Sequence, residues 1–125
     1  MDEKELKDRT KQFALRVMKL VDVLPNTVSG RAIANQVVRA GTSVGANYRA
    51  ACRGRSKAEF IAKLGVVVEE ADECEYWLEL IMEANLLPEG EVRLLRQEAH
   101  ELAAIFVASA RTAKSSITNQ KSKME

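Results

Sequence analysis

Cations and carboxylates, rather than nucleophiles or metal ligands, are the residues of this chain whose types and spacing could do chemistry. Arg49 and Arg53 stand one helical turn apart, and Arg55 and Lys57 follow across Gly54. Cations gathered in this way suit phosphate, to which arginine donates bidentately. No aromatic ladder accompanies them. Any nucleic acid held there would therefore be held by its backbone, in a salt-sensitive manner, and not by base stacking. The competing reading is that these arginines pair with carboxylates of the same or a neighbouring subunit. Such carboxylates exist: from Leu64 to Val92 there are Glu69, Glu70, Asp72, Glu73, Glu75, Glu79, Glu83, Glu89 and Glu91 without one Lys or Arg, whereas Asn26 to Ala58 holds no Asp or Glu. A formal net charge of +1 conceals two opposite fields.

Other chemistries lack their parts. Cys52, Cys74 and His100 are too few soft ligands for a tetrahedral zinc site, and no CxxC spacing is present. A di-iron bundle needs two Glu-x-x-His pairs, but His100 is the only histidine and Gln97 stands where its glutamate should be. His100 also has no strained nucleophile turn near it and reads as a helix-surface residue. Gly41-Thr-Ser-Val-Gly45 lacks the Gly-Lys-Ser/Thr of a phosphate loop. The carboxylate row carries no sign of a pocket that would shift two of its members apart, so no enzyme, cofactor or metal is expected.

The elements that must position these residues are helices. Leu6, Phe13, Val17, Leu20, Val21 and Leu24 recur at helical steps, which predicts helix 1 over residues 3–24, stopped by Pro25. Ser29 is the expected N-cap of helix 2, residues 29–53, whose stripe is Ile33, Val37, Ala40, Val44, Asn47 and Ala51. Gly41 and Gly45 lie one turn apart and expose backbone for close approach of another helix, and Asn47 reads as a hydrogen-bonded core residue that fixes register, with ligand binding as the other possibility. Ser56-Lys-Ala-Glu59 has the form of a capping box and opens helix 3, residues 56–86. Phe60, Leu64, Val67, Ala71, Cys74, Leu78, Ile81 and Met82 form its core face. Val66, Trp77 and Leu80, flanked by Tyr76 and Ala62, fall nearly opposite and make a candidate oligomer surface, scattered surface hydrophobes being the plainer explanation. Helix 4, residues 89–114, carries Val92, Leu95, Ala99, Leu102, Phe106, Ala110 and Ala113.

The expected fold is all-α, an antiparallel up-down-up-down four-helix bundle of residues 1–114, followed by a mobile basic tail over 115–125. A chain of 125 residues with 46% hydrophobic and 30% charged residues suits one soluble domain. The longest apolar run is far shorter than the ~20 residues of a membrane span, and the charged N-terminus lacks the apolar core of a secretory signal, so a cytoplasmic location is expected.

Arg39-Ala-Gly-Thr-Ser-Val-Gly-Ala-Asn-Tyr-Arg49, Arg55-Ser-Lys-Ala-Glu-Phe-Ile-Ala-Lys63 and Glu70-Ala-Asp-Glu-Cys-Glu-Tyr-Trp-Leu78 resemble the bacterial four-helix bundle family named for 23S rRNA intervening sequences. The resemblance spans about residues 10–112. It departs from the family's pattern at Ala50-Ala51, where many relatives carry a Glu soon after the Asn. The family is similar in fold to the accessory proteins of diversity-generating retroelements, which form five-membered rings, carry basic surfaces and bind nucleic acid and a reverse transcriptase. The resemblance thus implies a homo-oligomer, most simply a pentameric ring, acting as an accessory or RNA- or DNA-binding protein; together with the residue pattern the expectation is a non-enzymatic ring with Val66, Trp77 and Leu80 at or beside the interface and Arg49, Arg53, Arg55 and Lys57 as its basic rim. The alternative is an assembly scaffold whose charged faces serve only subunit contacts.

Overall fold

Four helices, α1 (Glu3–Val21), α2 (Val28–Cys52), α3 (Lys57–Glu83) and α4 (Glu89–Met124), build the computed structural model, which describes residues 1–124 and the side chains of residues 1–119. No strand occurs among the described residues. The helices are amphipathic, and their apolar stripes meet in one core. Phe13 and Val17 of α1, Val37 and Val44 of α2, Leu64, Val67, Leu78 and Ile81 of α3, and Val92, Leu95, Leu102 and Phe106 of α4 are its largest fully buried members. Each helix packs on the next and α4 closes back on α1, the most sparsely packed of the seams.

That last seam is held by charge. Arg9 forks onto Glu98, Nε donating to one carboxylate oxygen at 2.8 Å and Nη2 to the other at 2.6 Å, while Nη2 also reaches Glu101 at 3.1 Å. The paired acids hold the Arg9 guanidinium above its ordinary pKa, chiefly through the hydrogen bond to Glu98. Arg16 meets Glu91 at 3.0 Å further along. On α3 and α4, Glu79 pairs with Arg96 and Glu75 with His100, both at 3.3 Å. Along every one of these seams, sequence number rises on one helix as it falls on the other.

The α1–α2 seam depends on glycine. A Cβ at Gly41 would stand 2.9 Å from a Val17 methyl, and one at Gly45 would stand 3.1 Å from the Thr10 hydroxyl oxygen. The close approach read from the Gly41/Gly45 spacing is therefore made, and α1 is the helix that approaches.

Several helix ends differ from the sequence expectation. Ser56 caps α3, its hydroxyl accepting the Glu59 N–H at 3.1 Å. The cap of α2 is Thr27, not Ser29: Thr27 is extended and its hydroxyl oxygen accepts the Gly30 N–H at 3.1 Å, leaving Ser29 inside the first turn. α1 ends at Val21, after which Val23 and Leu24 bond to Leu20 and Val21 in a tighter turn that leads to Pro25. α3 ends at Glu83, because Asn85 adopts the left-handed region (φ 54°) and the Leu86 and Asn85 N–H groups return to the carbonyls of Ile81 and Met82, a Schellman closure. α4 continues past Lys114 to Met124. No Gly or Pro follows Gly90 to stop it, and half-buried Ile117, one turn beyond buried Ala113, prolongs its apolar stripe. Helix 4, expected to end at 114, thus includes residues 115–124 of the expected tail, while Glu125 and the side chains from 120 onward lie outside the described residues.

One core position also moves. Asn47 is half-buried and donates its amide to the Ser43 carbonyl of its own helix at 2.8 Å. Tyr48 takes the core place instead, 4% exposed and tilted on Phe106 with ring centroids 5.0 Å apart.

Candidate functional site

Beside the glycine contact, α1 and the end of α2 border an open cleft of about 480 Å³. Lys7 and Lys11 form its α1 wall, Arg49 and Arg53 its α2 wall, and Thr10, Gly45 and Ala46 lie between them. Lys7 and Lys11 lie four apart on one face of α1, about 6 Å along its axis, while Arg49 is in the last turn of α2 and Arg53 is the residue that caps it. Thr10 is buried, and its hydroxyl donates back to the carbonyls of Leu6 and Lys7 at 2.8 and 3.1 Å, so its hydrogen stays within α1. Lys7 contacts the exposed Glu3 carboxylate at 3.0 Å, and that hydrogen bond holds the Glu3 carboxyl below its ordinary pKa. Among the described residues, Lys11, Arg49 and Arg53 have no carboxylate within ion-pair distance.

The cations singled out from sequence are therefore divided. Arg49 and Arg53 line the cleft, Arg55 is exposed in the α2–α3 turn, and the Lys57 amino group donates to the Ser116 hydroxyl on α4. Lys7 and Lys11 were not legible as partners of the arginines. Their own spacing, one turn apart, was visible, but nothing local to helix 1 says which helix its lysines will face.

The acids of α3 are partly engaged within the bundle. Arg39 pairs with Glu70 and Glu73, while Glu75 and Glu79 take His100 and Arg96 of α4. Arg39 is the α2 cation that answers α3; Arg49 and Arg53 do not. Glu69, Asp72 and Glu83 remain exposed.

The expected oligomer stripe is mixed. Val66 is exposed at 36% and Tyr76 at 53%, whereas Trp77 and Leu80 are half-buried. Trp77 packs against the core and lies edge-on to Tyr76, with centroids 5.1 Å apart, so it is not diametrically opposite the core face. Its indole N–H is buried without a hydrogen-bond partner among the described residues.

His100 is exposed, contacting Glu75 alone among the acids. Among the described residues there is no His, Cys, Asp or Glu group placed to hold a metal ion, and no helix is long and apolar enough to cross a membrane. Cys74 is buried and Cys52 half-buried, both as free thiols.

A family model described as 23S rRNA-intervening sequence protein matches residues 3–108. No curated protein matches the chain. Among solved structures, it is similar to the crystal structure of a protein with unknown function from the S23 ribosomal protein family of Bacteroides thetaiotaomicron. The two are 32% identical, the match covers 84% of this chain and 97% of that chain, and the TM-score is 0.75.

Proposed function

The chain belongs to the 23S rRNA-intervening sequence protein family, and on that premise we propose a non-enzymatic, cytoplasmic, ring-forming bundle that serves as an accessory protein and binds nucleic acid through a basic rim. The observation that carries this reading is the absence of acidic partners for Arg49 and Arg53 among the described residues, although the chain is rich in carboxylates. Unpaired cations in water bind phosphate with release of the nucleic acid's counterions, which is favourable and salt-dependent. The opposite-running seams support an antiparallel up-down-up-down arrangement, which collects the end of α2, the α2–α3 turn and the start of α3 at one end of the bundle. Cyclic assembly, with five protomers as the family resemblance implies, repeats Arg49, Arg53, Arg55 and Lys57 around one rim. Val66, Trp77 and Leu80 are the proposed subunit contact, and the unpartnered Trp77 N–H is a donor that an incoming acceptor would satisfy.

The test measures oligomer mass by light scattering and binding of single-stranded RNA, single-stranded DNA and duplex DNA across a salt series, for wild type, Arg53→Ala and Arg55→Ala. Each lost phosphate contact lowers the log–log salt slope by about 0.7 to 0.9. A monomer at micromolar concentration removes the ring. Wild type that binds none of the three at low salt, with variants that fall apart, replaces the nucleic-acid reading with the assembly scaffold.

A further inference from the structure

Resting on that reading, we infer that the α1–α2 cleft is the nucleic-acid site itself and that it takes a single strand, its phosphates running between Lys7 and Lys11 on one wall and Arg49 and Arg53 on the other. Two walls of like charge are the first reason. Lys11, Arg49 and Arg53 have no acidic partner among the described residues, and a row of anions running between the two sides lowers the repulsion of these like charges while each side neutralises the same phosphates. A flat basic patch offers only one side.

The close packing of α1 on α2 favours a single strand. Helices in contact through glycine lie at the close end of the usual ~8–10 Å axial spacing, and Gly41 and Gly45 meet α1 at contact distance. The space left beside them, about 480 Å³, is within the range of small-ligand sites. A duplex presents two backbones across grooves of about 6 and 12 Å, so only one of its strands could touch this cleft, and only the outer ends of the cations would reach it. A single strand can settle between the walls.

The floor permits close approach and gives no readout. Ala46 is exposed and projects only a methyl toward an incoming backbone, while Gly45 lies buried against Thr10. None of the lining residues is aromatic, so bases face outward unstacked and sequence preference is weak. Lys7 is the one wall cation with a competing carboxylate. Glu3 is exposed and can return to water when a phosphate takes its place.

The experiment uses the full chain, a labelled mixed-sequence single-stranded RNA, the same RNA annealed to its complement, and a salt series, with light scattering on every variant. Lys11→Gln removes an unpaired wall cation, Ala46→Glu sets a carboxylate on the floor, and Lys19→Gln removes an exposed α1 cation outside the cleft. The expected result is tighter binding of the single strand than of the duplex. Lys11→Gln should lower the salt slope by about 0.7, Ala46→Glu should weaken binding at least as much, and Lys19→Gln should change neither affinity nor slope, all at unchanged oligomer mass. Equal binding of duplex and single strand, with Lys11→Gln and Ala46→Glu neutral but Arg55→Ala weakened, overturns the cleft and leaves the rim. Loss of oligomer mass in Lys11→Gln or Ala46→Glu makes the cleft a subunit seam and overturns it too. Wild type that binds no nucleic acid at low salt overturns the rim and the cleft together.

Discussion

Alanine at Gly41 and alanine at Gly65 are the same substitution inside a helix, and their surroundings give them opposite signs. Replacing a mid-helix glycine with alanine gains about 0.8 to 1 kcal/mol of helix propensity. At Gly65 nothing lies within 4 Å of the added carbon, so the whole gain is kept. At Gly41 the carbon would stand 2.9 and 3.0 Å from the Val17 γ-carbons and 3.2 Å from its Cβ. Val17 is fully buried and β-branched, and a helical valine has one strongly preferred rotamer, so it cannot swing aside. Overpacking of this kind costs about 1 to 3 kcal/mol. Gly41→Ala should therefore lose up to about 2 kcal/mol where Gly65→Ala gains about 1. Because the propensity gain is common to both, the difference between the variants isolates the overpacking. Urea unfolding followed by the helical circular dichroism signal measures it, with every sample at one protomer concentration because assembly shifts the midpoint. Gly41→Ala as stabilising as Gly65→Ala would refute the Val17 contact and the close approach of α1 to α2.

Leu78→Ala, at a position with no exposure, should cost roughly 2 to 5 kcal/mol in the same titration; a loss under about 1 would take Leu78 out of the core. Asn85→Gly relieves a left-handed residue and should raise stability by up to about 1 kcal/mol, whereas a decrease would mean that the asparagine side chain, not the backbone angle, closes α3. Burial, with Glu70 adding to it, pushes the Cys74 thiol up to about 12 from an ordinary value of 9.0. The folded state then holds this proton more tightly than the unfolded one, so stability is untouched below pH 9 and falls as pH climbs from 9 toward 12. Urea midpoints at two pH values on either side of pH 9 should show that decline, and Cys74→Ala should make it shallower; an unchanged slope would remove Cys74 as its source.

The core was legible because burial imposes a period. On α3 the residues at helical steps from Leu64 to Ile81 are the ones that lose their exposure. Where two steps fit the period equally, local spacing does not decide. From Val44, a step of three reaches Asn47 and a step of four reaches Tyr48; Phe106, distant in sequence, selects the latter by filling the space beside the ring. Caps show the same limit. Thr27 and Ser29 are both good caps, but a methyl at Gly30 would collide with the Pro25 carbonyl, so the chain turns closely around Gly30 and Thr27 caps the helix that begins at Val28. From sequence, α3 is expected to run to 86, up to the punctuation of Leu87-Pro88, and Asn85 stops it earlier.

The site was half legible for a related reason. Arg49 and Arg53 sit at the end of one helix, four residues apart, which a spacing can show. Lys7 and Lys11 belong to a helix of mixed charge, where lysines outside the apolar stripe read as solvent-facing. What turns them toward the arginines is the small-residue line of α2, since Val17 and Thr10 can sit on Gly41 and Gly45 only if the flank of α1 beside them borders the flank of α2 that bears Arg49 and Arg53. The glycines thus have two consequences that the chain cannot separate. They set the stability of the α1–α2 seam, and they fix how far apart the two cationic walls stand, so a change that widens the seam must also loosen whatever the walls hold.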